Sequence, residues 1–111
     1  MVDISDIVLS HNEKIICLKD IKKRIVKSLY VYDQNQIPDS NYNYKIYIHG
    51  LLLYIASSNS LFQGELVSLI VNLNSVLSND FEKKQFKKII LECKNFIDYQ
   101  ITELEKQNLA E

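Results

Sequence analysis

Tryptophan is absent from this chain, and glycine (two), proline (one) and arginine (Arg24 alone) are nearly so. An all-β fold needs many tight turns and uses glycine and proline to make them. Their scarcity therefore points to a few long helices. Two isolated glycines cannot build a phosphate-cradling loop. A single arginine is a poor set for reading base edges, where arginine predominates. The two cysteines, Cys17 and Cys93, lack CxxC spacing and have no nearby histidine to complete a zinc set. Each lies among apolar helical neighbours, so both are expected as free thiols in a reducing cytoplasm. HExxH, an EF-hand loop and a Glu-x-x-His pair are missing too, so no metal or cofactor is expected. The longest uninterrupted apolar run near the middle, 51–56, falls far short of the about 20 residues a membrane span takes. Early acids, Asp3 and Asp6, and no basic-then-apolar run argue against a cleaved leader.

What is present begins with a partition of charge. Between Tyr42 and Asn79 the only formal charges are Lys45 and Glu65, whereas both flanks are crowded with them. A charge-poor middle is expected to be hidden, in a protein core or in lipid, and its short apolar runs favour the core. The 111 residues suit a single domain, 1–111. A net charge of -1 gives no bulk attraction to nucleic acid or anionic lipid. Ile, Asn and Lys together make up a third of the chain, a bias associated with low-GC genes.

Along the chain, residues 4–32 carry apolar side chains at alternating steps of four and three, the signature of an amphipathic helix. Ser5 or Ser10 could cap it, and a break near Ser10–Asn12 would divide it in two. Asp33–Asn41 holds the only proline and reads as a loop. Tyr42–His49 alternates like a strand, yet the segment continues to Ser58 without a turn. Read as a helix it is apolar on most sides, and helix is the preferred reading. Ser60 with Gln63 suggests a capping box opening a helix to about Ser78, with Gly64 in its first turn or at a close helix contact. Asn79 with Glu82 suggests a second box opening the last helix. That helix carries Phe86, Ile90, Cys93, Ile97, Ile101 and Leu104 on one stripe. Short connections imply antiparallel neighbours. The expected fold is all-α, a compact four- or five-helix antiparallel bundle.

The two histidines, His11 and His49, have no carboxylate or cysteine at a catalytic spacing and read as hydrogen-bonded residues at a core edge. No acid, base and nucleophile set is visible, so catalysis is not expected. Two lysine-rich clusters, 19–27 and 83–88, read as solvated helix faces, or as a joint patch should the fold bring them together. Five of seven tyrosines bracket the Asp33–Asn41 loop. Tyrosine gives large contact area and a polar tip, so Asp33, Asp39, Tyr42, Tyr44 and Tyr47 are the candidate partner-binding residues. The same rings could equally serve as a packing seam between helices.

The stretch 47–54 through 76–77 resembles the central hairpin of helical-bundle bacteriocin immunity proteins. The run 61–66 to 79–81 is similar to immunity proteins of contact-dependent growth inhibition systems. The resemblance implies a bacterial, cytoplasmic, non-catalytic protein that binds and neutralises a cognate protein toxin. If that toxin is a nuclease, acids such as Asp33 and Asp39 would face its basic substrate groove. The competing expectation is a small helical nucleic-acid-associated or regulatory protein using its lysine clusters.

Overall fold

A computed structural model describes residues 10–39, 41, 43–59, 62 and 64–110. They form four helices: α1 (His11–Asn35), α2 (Tyr44–Asn59), α3 (Val67–Ser78) and α4 (Lys83–Ala110). No strand occurs among the described residues. The protein is an all-α antiparallel bundle.

Each boundary has a local cause. At the start of α1 the Ser10 Oγ accepts the Glu13 N–H at 3.2 Å, and Glu13 Oε1 accepts the Ser10 N–H at 3.3 Å. This reciprocal box satisfies two donors that would otherwise be orphaned. The helix thus begins within the break considered at Ser10–Asn12; the alternative cap Ser5 lies outside the described residues. Asn43 Oδ1 accepts the N–H groups of Lys45 and Ile46 at 3.0 and 3.4 Å. That cap, followed by a nearly all-apolar run, makes a helix of the segment that alternates like a strand.

Two expected starts are corrected. α3 begins at Val67, not at Ser60, and the proposed box of Ser60 and Gln63 lies outside the described residues. Gly64 is not in a helical turn: its φ of 82° is left-handed backbone, open to glycine because it lacks a Cβ. It reverses the chain while Asn59 ties the connection together. The Asn59 carbonyl accepts the Gly64 N–H, and its side-chain Oδ1 accepts the Leu66 N–H, both at 3.0 Å. Likewise Asn79 does not cap α4. Its Nδ2 donates back to the Ser75 carbonyl at 2.9 Å, closing α3. α4 is entered three residues later, with Gln85 Oε1 accepting the Glu82 N–H at 3.2 Å.

Cross-helix pairs fix the directions. Asp33 meets Lys83 at 2.7 Å and Lys22 meets Asp98 at 2.6 Å, so α1 and α4 run antiparallel. Arg24 meets Tyr47 and Asp20 meets Tyr54, which opposes α1 and α2. Lys45 pairs with Asp80 at one end of α2 and α3, and Asn59 with Leu66 at the other. Between them lies one core. Ile21, Ile25, Ile48, Ile55, Leu69, Leu73, Val76, Phe86, Ile90, Cys93 and Ile97 have no exposed surface. The stripe read in the last helix is buried from Phe86 to Ile101, with Leu104 half-buried.

The charge-poor middle is not hidden throughout, contrary to expectation. The bundle measures 51 × 32 × 19 Å, too thin for any helix to be enclosed on all sides. α2 buries Tyr44, Ile48, Leu51, Leu52 and Ile55, and turns its opposite side outward.

Candidate functional site

That outward side is the first feature of functional interest. On α2 the exposed residues include Ile46, His49, Gly50, Leu53 and Ser57, and on the antiparallel α3 they include Val67, Ser68, Val71 and Asn74. Ile46 is 71% exposed, Leu53 61%, Val67 50% and Val71 62%. No exposed residue of α2 or α3 carries a formal charge. His49 stands in this exposed face rather than at a core edge, because the helical period places it away from Ile48 and Leu52.

The second feature is the seam between α1 and α2. Arg24 Nε donates to Asp20 Oδ2 at 2.9 Å, and the Tyr54 hydroxyl donates to the same oxygen at 2.6 Å. The guanidinium carbon lies 4.3 Å from the centre of the Tyr54 ring. These bonds hold the Asp20 carboxyl below its ordinary pKa, Tyr54 first and Arg24 second. The Tyr54 phenol is correspondingly raised, chiefly by Asp20 and then by burial. Next along the seam, the Tyr47 hydroxyl donates to the Arg24 carbonyl at 2.6 Å. A depression of about 330 Å³ is lined by Arg24, Ile46, Tyr47, Gly50 and Leu51. A second, of about 310 Å³, is lined by Asp20, Lys23, Arg24, Lys27 and Tyr47. They share Arg24 and Tyr47 and so adjoin along the α1–α2 groove.

The five residues singled out from sequence do not make one surface. Tyr44 is buried at 9% exposure, its ring centroid 4.8 Å from Tyr32 and 5.4 Å from Phe86. It belongs to the packing seam, closed by the Tyr32 hydroxyl donating to the Phe81 carbonyl at 3.0 Å. Tyr47 is half-buried and belongs to the α1–α2 groove. Asp33 is held by Lys83. Asp39 is exposed, at a left-handed φ of 64°. Tyr42 lies outside the described residues.

The lysine clusters are likewise divided. Lys22 turns to Asp98, while Lys23, Arg24 and Lys27 line the α1–α2 groove. Lys84, Lys87 and Lys88 line a separate depression of about 670 Å³ along α4, and the two depressions have no lining residue in common. Among the described residues no three His, Cys, Asp or Glu side chains gather as a metal site would need, and no helix is long and apolar enough to cross a membrane. Both thiols are free. Cys93 is buried in α4 and its pKa is pushed up to about 12 by desolvation, with Glu92 adding to it; Cys17 is half-buried and raised by desolvation, then by Asp20.

The sequence pattern placed Arg24 only within the basic cluster 19–27, and Gly50 and the exposed apolar residues of α2 were not among the candidates. Their signal was present: Ile46, Gly50, Leu53 and Ser57 recur at steps of four and three, opposite the buried stripe. Compared with protein-family models, curated proteins and solved structures, the chain matches none.

Proposed function

We propose that this chain is an immunity protein that binds a cognate bacterial toxin and neutralises it by covering the toxin's active surface, with no chemistry of its own. The observation that carries the reading is the uncharged outer face of α2 and α3, with Ile46, Leu53, Val67 and Val71 all at least half exposed. Large apolar side chains left in water on two neighbouring helices favour burial against another macromolecule. The sequence resemblance to helical-bundle immunity proteins supplies the class. The cytoplasm is the compartment that suits two free thiols.

The test is genetic and then physical. Expression of the toxin gene adjoining this one should arrest a bacterial host, and co-expression of this chain should restore growth. Charging the face with Leu53→Glu and Val71→Glu together should weaken the complex at least tenfold, since each Glu would have to be desolvated. Both side chains are exposed, so helicity should not change. A doubly charged variant that still protects the host and binds as tightly would reject the reading.

A second reading rests on Lys84, Lys87 and Lys88, none of which forms an ion pair with a described residue. It makes the protein nucleic-acid-associated, bound through α4. A gel shift that weakens steeply with salt and is lost on Lys84→Glu, Lys87→Glu and Lys88→Glu would favour it.

A further inference from the structure

Gly50 has no purpose inside its own fold. It is the seventh residue of the sixteen in α2, an interior position where glycine weakens a helix relative to alanine. Its φ is not left-handed, and a Cβ built on it would meet nothing within 4 Å. Neither backbone geometry nor internal packing requires it. What the missing side chain does is leave room in the α1–α2 groove, which Gly50 lines together with Arg24, Ile46, Tyr47 and Leu51.

The adjoining stretch of the groove is cationic. Lys23, Arg24 and Lys27 face a single acid, Asp20, which leaves an excess of two positive charges. Arg24 is held in place before any ligand arrives: Asp20 takes its Nε–H, the Tyr54 ring underlies the guanidinium, and Tyr47 fixes its carbonyl. With Nε engaged, the two Nη groups stay available for a carboxylate, and little side-chain freedom is left to lose on binding. A cationic stretch beside an apolar one matches an element that is itself half acidic and half apolar. A free anion would leave Ile46 in water, and so would a phosphodiester backbone.

We propose that this groove receives an acidic amphipathic helix of a protein partner, with a carboxylate on Arg24 and Lys27, apolar side chains on Ile46 and Leu51, and its backbone crossing closely at Gly50. The inference rests on the binding reading above and adds the chemistry of the partner's contacting element.

The probe is a phage library of random 16-residue peptides selected on the immobilised full-length protein, followed by fluorescence polarisation with the best peptide. Selected sequences should carry Asp or Glu interleaved with Leu, Ile or Phe at helical spacing. Arg24→Gln with Lys27→Gln should weaken the peptide at least tenfold. Gly50→Leu should do the same by filling the groove while raising the melting temperature, so loss of binding cannot be mistaken for loss of fold. Failure to select any peptide, selection without an acidic bias, or affinity unmoved in both variants would overturn the proposal. So would a single-stranded dT16 oligonucleotide that displaces the peptide at comparable concentration, which would assign the groove to phosphate. Because no toxin enters the assay, a chain that fails to protect a host could still select acidic helices, and a protective chain could fail to select them.

Discussion

The Tyr54 hydroxyl and the Asp20 carboxylate meet at 2.6 Å across the α1–α2 seam, and the same carboxylate oxygen holds Arg24. One phenol thus sets the position of the only arginine, through its hydroxyl on Asp20 and through its ring beneath the guanidinium. Tyr54→Phe removes the first and keeps the second. It should lower stability by about 0.5–1.5 kcal/mol in urea unfolding, the usual size of one hydrogen bond. The Asp20 carboxyl should move back toward its ordinary pKa, which side-chain carbon NMR would follow. An Asp20 titration unchanged in this variant would show that Arg24 alone sustains the shift.

The two glycines should respond oppositely to the same substitution. Gly50→Ala removes a helix penalty with nothing in the way, and should stabilise the protein by about 0.5–1 kcal/mol. Gly64→Ala also meets no atom, yet it forces a Cβ onto a φ of 82° and should destabilise by about 1 kcal/mol. Matched thermal melts would check both signs.

Acid should weaken the contact between α1 and α4. Asp98 accepts Lys22 at 2.6 Å and Lys94 at 3.1 Å, and its carboxyl is held below its ordinary value, Lys22 being the larger cause. A carboxyl with a lower pKa in the folded state contributes stability above its unfolded pKa of about 3.9 and loses it as pH falls through the folded value. The melting temperature should therefore drop below about pH 4, and more shallowly in Asp98→Asn. The side chain is more than a third exposed, so solvent screening keeps the effect small.

Thiol chemistry should separate the cysteines. With its pKa pushed up to about 12, Cys93 holds roughly three orders of magnitude less thiolate at pH 8 than an unperturbed thiol of pKa about 8.5. Ellman's reagent should label Cys17 slowly in the native protein and Cys93 only on unfolding. Native labelling of both at equal rates would contradict the buried position of Cys93.

The helices themselves were readable from the chain. The 3.6-residue period gave the buried stripe from Phe86 to Ile101, and Ser10, one of two serines that could cap a start, does open α1, because both features depend on residues within one or two turns. The helix starts near Ser60 and Asn79 were misjudged for a physical reason. An asparagine side chain can cap the helix ahead or close the one behind, and Asn79 closes α3. Tyr44 and Tyr47 differ in the same way: both are tyrosines on α2, but one ring faces Tyr32 and Phe86 while the other hydroxyl reaches α1.

Pattern alone therefore determined that the chain is a helical bundle and which stripe of α4 enters its core, since burying an apolar stripe is a local demand of an amphipathic helix. Only the tertiary arrangement decided what remains outside. Four helices in a body 19 Å thick can cover one side each, so the uncharged middle is half interior and half surface. The groove arises because antiparallel packing sets Arg24 of one helix beside Tyr47 and Gly50 of the next, a juxtaposition between residues more than twenty positions apart that no local spacing encodes.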